Sequence, residues 1–239
     1  MATTDLVNPS SLPLQDRVAI VTGSSRGIGK AIAIHLASLG AKLVINYASN
    51  KDQADLVAEE INSCCSENTP HATVVQADIS VPAQVKLLFD EAERVFGSQV
   101  HVLVNSAAIA NTKYPTIANT SVEDFDRLFS VNCRGTFLCC KEAAKRIKQG
   151  GGAVETMTKI LAKELKGTGI TANCVAPGPI ATEMFFVGRS EELVKRVIEA
   201  CPHGRLGETK DVAPLVGFLA SDAGEWINGQ VIRVNGGSD

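Results

Sequence analysis

The sequence lacks several features that would place it in a special class of protein. No apolar run approaches the ~20 residues that are needed to cross a bilayer. Residues 1–15 contain no arginine and no apolar core like that of a secretory signal. With 23 basic and 26 acidic residues, the net charge of −3 is too even for a nucleic-acid groove or an anionic membrane surface. We therefore expect a small-molecule partner, with no nucleic acid and no membrane as partners.

The cysteine and histidine patterns predict neither disulfides nor a metal site. The seven cysteines form an odd set that includes two adjacent pairs, at residues 64–65 and 139–140, and no pair has CxxC spacing. The four histidines share no metal-ligand spacing. A reducing compartment fits this composition best, so we expect the cytoplasm, with the plastid as an open alternative.

The apolar residues indicate a single α/β domain. Short runs rich in valine and isoleucine are continuous rather than alternating, which is typical of strands buried on both faces of a parallel sheet. Six strands are predicted, at residues 17–22, 43–47, 73–76, 100–104, 171–176 and 231–234. Helical patterns lie between them, which predicts an α/β fold with a Rossmann-type doubly wound parallel sheet in three α/β/α layers. This domain would span residues 16–239 and follow a disordered leader at residues 1–15.

The alternation of strand and helix fails at one place. A long helix is predicted from about residue 122 to residue 148, and a second helix carrying Met157, Leu161 and Leu165 begins after only residues 149–152. A parallel sheet needs a strand between successive crossover helices. We therefore predict that the fifth strand and the start of the following helix are missing, at a join between Gly152 and Ala153.

A glycine-rich turn follows the first predicted strand. It reads Thr22-Gly23-Ser24-Ser25-Arg26-Gly27-Ile28-Gly29 and opens the first predicted helix. Glycines at this spacing allow a tight turn and let phosphate oxygens approach backbone N–H groups, and the helix adds the positive end of its dipole. An ordinary strand-to-helix turn is the alternative, but a strand before and a helix after favour a dinucleotide phosphate site.

The spacing TGxxxGIG resembles that of the short-chain dehydrogenase/reductase family, and other segments agree along nearly the whole chain. Residues 77–79 resemble the family's adenine contact, residues 105–108 its NNAG turn with Ala108 in place of the usual glycine, and Asn132 its helix asparagine. Residues 177–182 resemble the loop that holds the nicotinamide carboxamide, and residues 226–237 the C-terminal strand. The glycine turn, the second-strand end and these segments together predict the following cofactor contacts: Gly23, Ser25, Arg26, Gly27, Ile28, Gly29, Asn46, Lys51, Asp78, Ile79, Asn105, Ala107, Pro177, Gly178, Ile180 and Thr182.

The charge at the end of the second strand bears on the choice between NAD and NADP. NAD enzymes place a carboxylate there, which binds the ribose 2′-hydroxyl and would repel a 2′-phosphate. This chain has Asn46 and Tyr47 at that place, with Arg26 in the glycine turn and Lys51 just past the strand. NADP(H) is therefore the predicted cofactor, unless both cations are ordinary solvated surface charges.

The catalytic groups of the family are not found where they are expected. The resemblance implies reduction of an aldehyde or ketone by hydride transfer, with a proton from the tyrosine of a Tyr-x-x-x-Lys segment and a serine that orients the substrate oxygen. Tyr114 has no lysine four residues on. Tyr47 does have Lys51, but it lies at the adenosine end of the cofactor, so we interpret this match as fortuitous.

The catalytic segment should lie between Asn132 and Pro177. Only 45 positions separate these residues, which is too few for a helix, a strand, a loop and a full second helix. Roughly 25 residues are therefore predicted to be absent. Of the catalytic set, Asn132 alone remains, and a buried structural asparagine is an equal alternative for it.

Two interpretations stay open. The first is an NADP(H)-dependent aldehyde or ketone reductase whose sequence is incomplete through an omitted exon, a splice form, a loop left out of the numbering or an incomplete gene model. The second is a catalytically dead dinucleotide-binding or unstable product. A full-length form is expected to be a homo-oligomer, as the resemblance implies.

Overall fold

The structure is a computed structural model that describes residues 12–64, 70–113, 115–146 and 155–238, with the backbone alone at residues 155–157. Tyr114 and the predicted join between Gly152 and Ala153 lie outside the described residues. Within the described ranges, no helix combines the length and the apolar character that a membrane crossing requires.

The six strands form where the sequence predicts them. Their bounds are β1 Val18–Thr22, β2 Lys42–Tyr47, β3 Ala72–Gln76, β4 Val102–Asn105, β5 Cys174–Pro177 and β6 Val231–Val234. The largest differences from the prediction are at the starts of β4 and β5, which begin two and three residues later than the apolar runs. Buried apolar residues such as Val100 and Ala172 precede these strands without taking part in their ladders. The apolar composition alone therefore places the strand starts too early.

Helices alternate with the strands on both faces. Their bounds are α1 Gly27–Ser38, α2 Lys51–Ser63, α3 Pro82–Phe96, α4 Val122–Phe129, α5 Thr136–Arg146, α6 Glu155–Glu164, α7 Glu183–Phe186, α8 Glu191–Ala200 and α9 Thr209–Ala220. The predicted long helix from residue 122 is confirmed as far as Arg146, but it is not regular. Residues Ser130–Gly135 form a π-helical segment between α4 and α5, a deviation that often marks a functional site.

The strands are parallel, but they form two sheets. The first has the order β3-β2-β1-β4 and the second contains β5 and β6. In the described part of the chain β4 and β5 are not paired with each other. The parallel α/β fold is thus confirmed, and the sheet is interrupted at the place where the alternation of strand and helix fails.

The core has two layers, one on each face of the first sheet, and β1 between them is buried along its whole length. Ala19 and Val21 face the layer built with α1, α2 and α9, whereas Val18 and Ile20 face the layer built with α3 and α5. Successive side chains of a strand point to opposite faces, which gives this alternation. The sheet between the two layers positions the loops at the carboxyl ends of its strands.

The burial of Leu14 shows that the folded domain begins earlier than predicted. This residue is fully buried against the first core layer, and its N–H donates to the Leu39 carbonyl at 2.8 Å. Residues 12–15 therefore belong to the folded domain, and the predicted bound at residue 15 is too late. Two leucines separated by a proline are too short a pattern to show that Leu14 is buried while Leu12 is half exposed. Residues 1–11 lie outside the described part of the chain.

Candidate cofactor site

The glycine turn joins β1 to α1 and packs on the turn that follows β4. Gly23 has φ +63°, and a Cβ there would lie 2.6 Å from the Cα of Ala107. A Cβ on Gly29 would lie 2.6 Å from the Gly23 carbonyl oxygen, so the first turn of α1 also packs on backbone. At Gly27, by contrast, the nearest atom to a Cβ would be Cγ2 of Thr182 at 3.7 Å. The turn is closed on the side of the sheet and open on the side of Thr182, where a pyrophosphate would lie.

The start of α1 supplies hydrogen-bond donors on that open side. The N–H of Lys30 donates to the Arg26 carbonyl at 3.1 Å and begins the hydrogen bonding of the helix. The N–H groups before it, in the segment that holds Ile28, have no partner within a helix and point towards its N-terminus. Ser25 and Ile28 are half-buried beside this end. The arrangement fits the phosphates of a dinucleotide.

Asn46 supports the glycine turn from within. Its side chain is 2% exposed. Its Oδ1 accepts the N–H of Gly23 at 3.1 Å, and its Nδ2 donates to the Ala77 carbonyl at 3.1 Å and the Val75 carbonyl at 3.3 Å. The carboxamide therefore ties the ends of β1, β2 and β3 together. The Asn46 side chain therefore holds the turn, and both of its polar atoms are engaged by backbone groups.

Both cations that were predicted to face a 2′-phosphate are paired with carboxylates. Arg26 Nη1 lies 2.9 Å from Oε2 of Glu183, at the start of α7. Lys51 Nζ lies 2.5 Å from Oδ2 of Asp55, one turn along α2. The hydrogen bond to Asp55 and its negative charge raise the pKa of Lys51, so this side chain stays charged. Each cation is therefore balanced by a carboxylate close to it, and β2 itself ends with Asn46 and Tyr47 rather than with an acid.

The adenine segment at residues 77–79 is locally rigid. Asp78 Oδ1 accepts the N–H of Ser80 at 2.8 Å and its hydroxyl at 2.7 Å, while the Asp78 N–H donates to Oε1 of Gln84. Ile79 is buried, and a Cβ on Gly135 would lie 2.8 Å from its Cδ1. The glycine thus lets the π-helical segment approach the adenine segment closely.

The turn after β4 is fixed by a residue to which sequence reasoning gave no role. Thr22 Oγ1 accepts the N–H groups of Ser106 and Ala107, both at 3.1 Å. Asn105 donates from Nδ2 to the sulfur of Cys140 at 3.4 Å, while its Oδ1 is buried with no hydrogen-bond partner among the described residues. The position of Thr22 within the TGxxxGIG motif was the available signal for its role.

The loop from Pro177 to Thr182 is anchored at both ends. A Cβ on Gly178 would lie 2.7 Å from the Cα of Asn235, and the Ala181 N–H donates to the Gly207 carbonyl at 2.8 Å. Ile180 is buried and pairs with Gly207 as an isolated β-bridge. Thr182 is thereby held across from Gly27, so the loop and the glycine turn face each other over the open side of the turn.

Asn132 lies in the π-helical segment and holds the loop that follows the turn after β4. Its Oδ1 accepts the N–H of Ile109 and its Nδ2 donates to the Ile109 carbonyl, both at 2.9 Å. Both side-chain groups therefore have a structural use. Tyr47 belongs to the fortuitous Tyr-x-x-x-Lys match. It is 7% exposed and packs in the core layer with α1 and α2, so it is poorly accessible to a substrate.

A cleft of about 270 Å³ separates the two sheets. Residues 102–106 of β4 and its end line one side, and Cys174, Val175 and Pro177 of β5 line the other. The apolar residues Ile28 and Ile32 of α1 and Val212 and Val216 of α9 also line it. The cleft thus lies between two parallel strands, each of which has an edge that is unpaired within the described residues.

Comparisons with known proteins give the families and structures that this chain resembles. The model of the short chain dehydrogenase family matches residues 17–154, and a model described as Enoyl-(Acyl carrier protein) reductase matches residues 152–239. Two similar proteins come from Arabidopsis thaliana. The "NADPH-dependent aldehyde reductase-like protein, chloroplastic" is 59% identical over 268 residues, and "NADPH-dependent aldehyde reductase 2, chloroplastic" is 56% identical over 269 residues. Each alignment covers 99% of this chain and 99% of the relative. The crystal structure of a short chain dehydrogenase from Burkholderia cenocepacia in complex with NADP superposes with a TM-score of 0.84 at 28% identity, covering 94% of this chain and 98% of that one.

The lengths of these matches bear on the predicted join. The first plant alignment runs over 268 residues whereas this chain has 239, so at least 29 positions of the alignment have no counterpart here. The two family models meet at residues 152–154, where the sequence predicts the join.

Proposed function

Because this chain belongs to the short chain dehydrogenase family, we propose that it is built to reduce an aldehyde or ketone to an alcohol with NADP(H), and that it lacks the segment needed for proton transfer. NADP(H) is the cofactor: the plant relatives are NADPH-dependent, and a structural neighbour is in complex with NADP. The bound nicotinamide supplies the hydride. The residues of this chain bind and orient it through the glycine turn, Arg26 and the anchored loop that ends at Thr182.

The observation that carries the second half of the proposal is the cleft between β4 and β5. Within the described residues β4 and β5 each have an inner edge that pairs with no strand, and one further strand between them would complete a parallel sheet. Asn105 lines the same cleft, and its buried Oδ1 has no hydrogen-bond partner among the described residues, so an added strand could supply an N–H to it. The place of the gap in the fold agrees with the predicted join between α5 and α6, and the longer alignments with the relatives support it.

The loss of a strand and its helix bears on stability as well as on chemistry. A central strand buries three or four large apolar side chains at roughly 1.5–3 kcal/mol each. A domain's whole stability is only ~5–15 kcal/mol. The 239-residue chain is therefore proposed to be both catalytically dead and less stable than a chain with the segment restored.

The test inserts, between Gly152 and Ala153, the segment by which the first Arabidopsis relative is longer. The original and restored chains are compared for NADPH oxidation with a panel of small aldehydes and ketones. The restored chain is expected to turn over at least ~10²–10⁴-fold faster, since that is the usual contribution of a positioned general acid.

Two controls separate chemistry from folding. A restored chain in which the inserted Tyr-x-x-x-Lys tyrosine is replaced by phenylalanine keeps the strand and should lose the activity. The original chain with Tyr47→Phe shows whether that tyrosine does any work. Turnover by the original chain that depends on Tyr47 would overturn the interpretation of this residue as fortuitous, and turnover independent of it would mean that another acid acts.

The compartment is part of the proposal. Both plant relatives carry the word chloroplastic in their names, which favours the plastid over the cytoplasm for this chain. Imaging a fluorescent protein fused to the C-terminus of the chain in leaf cells tests this, and a signal that spreads through the cytoplasm contradicts it.

A further inference from the structure

The ion pair between Arg26 and Glu183 joins two parts of the cofactor site that are far apart in sequence. Arg26 is the cation of the glycine turn, and Glu183 opens α7, 157 positions further along the chain. Their charged atoms are 2.9 Å apart, and the two side chains remain 59% and 62% exposed. The pair thus lies at the surface of the site, where an arriving ligand can reach it.

The backbone on both sides of the pair is fixed. Arg26 is the residue that precedes α1, and its carbonyl accepts the first hydrogen bond of that helix. Glu183 follows the loop that is anchored by Ile180 on Gly207. A carboxylate held next to a guanidinium in this way acts at a high effective concentration, so a free anion must displace it.

The pair of Lys51 and Asp55 differs in this respect. Both residues lie on α2 at i,i+4 spacing, so the pair stabilises its own helix and links no other part of the site. In the pair of Arg26 and Glu183, by contrast, an acid next to the predicted nicotinamide loop contacts a cation on the predicted adenosine side.

We propose that Glu183 is an internal competitor for the 2′-phosphate of NADP(H). In the free protein its carboxylate accepts a hydrogen bond from Nη1 of Arg26, so it competes with the phosphate for the donors of the guanidinium. A phosphate dianion makes the stronger charge-assisted hydrogen bonds with arginine, so it wins this exchange at a reduced net affinity. Glu183 therefore sets how strongly the site prefers a nucleotide with a 2′-phosphate. The inference rests on NADP(H) as the cofactor and on Arg26 as its contact.

The test uses adenosine 2′,5′-bisphosphate, with adenosine 5′-monophosphate as the ligand that lacks the 2′-phosphate. These fragments need only the adenosine half of the site, which the four-stranded sheet builds, so the measurement does not depend on catalysis. Calorimetric titrations compare the original chain with Glu183→Gln, Arg26→Ala and the double variant. Glu191→Gln, at the start of α8, removes the same charge from a neighbouring helix and is the matched control.

Glu183→Gln is expected to tighten the bisphosphate roughly two- to fivefold, the range that corresponds to an exposed ion pair, and to leave the monophosphate unchanged. In the Arg26→Ala background the same substitution should have no effect. Bisphosphate affinity that Glu183→Gln does not change, or changes equally with Glu191→Gln or without Arg26, overturns the inference while leaving the NADP(H) assignment intact. Equal affinity of the original chain for both fragments would instead overturn the assignment of the 2′-phosphate site.

Discussion

Gly23 packs so closely against Ala107 that a Cβ on the glycine would lie 2.6 Å from the Cα of the alanine. The residue also has φ +63°, which an L side chain adopts only with strain. Two separate costs therefore oppose a side chain at this position. The contact joins the phosphate-binding turn to the turn after β4, so it affects both stability and the cofactor site.

Gly23→Ala is expected to lower the free energy of unfolding by ~2–5 kcal/mol, the sum of left-handed strain of ~1–2 kcal/mol and overpacking of ~1–3 kcal/mol. Gly97→Ala is the matched control, because Gly97 has φ +61° with nothing within 4 Å of its Cβ position. It should show the strain alone and leave nucleotide affinity unchanged. Urea unfolding and NADPH titration of both variants provide the measurement, and equal effects of the two would refute the role of the contact.

The second prediction concerns Asn46→Asp, a substitution that the sequence alone would suggest for changing the cofactor preference from NADP to NAD. An acid at the end of the second strand is the usual device for NAD, so Asn46→Asp looks like a switch of specificity. The carboxamide is 2% exposed, however, and its Nδ2 donates to the Ala77 and Val75 carbonyls. A carboxylate there would face two carbonyl oxygens in the core. We expect unfolding to become easier by more than the ~1–3 kcal/mol of a lost buried hydrogen bond, with no gain in NADH affinity.

The pH dependence of this variant has a definite sign. Burial raises the pKa of the introduced carboxyl above its unfolded value of ~3.9. The part of the penalty that comes from ionisation is therefore absent at pH below that value and grows as pH rises towards the folded pKa. Urea unfolding of Asn46→Asp and the original chain at acid and neutral pH should show the difference between them widening with pH. A constant difference, or tight NADH binding, would contradict the buried position of this side chain.

These cases show what the sequence could and could not predict. The strands followed from continuous valine and isoleucine runs, whereas the join between Gly152 and Ala153 stays a prediction that rests on the strand which the alternation requires. The internal role of Asn46, the pairing of Arg26 with Glu183 and the π-helical segment depend on which residues meet across the sheet. Local patterns carry no record of such tertiary contacts. For the same reason Leu14 was assigned to the leader although it is buried in the core.

The cysteines are expected to react in a definite order. Burial raises the pKa of the Cys139 and Cys140 thiols to about 12, so they stay protonated in the folded chain. A hydrogen bond with the Ser238 side chain and one with the His203 backbone lower the pKa of Cys201. At neutral pH, alkylation followed by mass spectrometry should modify Cys201 well before Cys139 or Cys140, because the thiolate is the reactive form.

Ser238→Ala should slow the labelling of Cys201 without opening the core. The buried pair should react only when urea unfolds the chain, and its raised pKa also predicts that unfolding becomes easier as pH rises above about 9, where the unfolded thiols ionise first. Early labelling of Cys139 or Cys140 in the folded protein would show that the layer between α5 and the sheet opens readily.

The last prediction concerns assembly through the helices that flank the join. Val122, Phe125 and Phe129 on α4 and Phe137 on α5 are between 49% and 69% exposed, and Phe125 stacks on Phe129 with ring centroids 4.2 Å apart. Ile160 on α6 is 54% exposed.

An apolar surface of this kind is typical of a subunit interface, and a stable interface buries roughly 1,200–2,000 Å² in total. We proposed that the start of the second helix is missing, and a shorter helix offers less surface to a partner, so light scattering should find the 239-residue chain monomeric or aggregated and the restored chain as a dimer or tetramer. Phe125→Ser with Phe129→Ser should dissociate the restored oligomer, whereas Trp226→Ser, which removes an apolar side chain that is 95% exposed elsewhere, should not. A discrete tetramer of the 239-residue chain would show that this apolar surface alone suffices, and an oligomer insensitive to the double substitution would place the interface on another face.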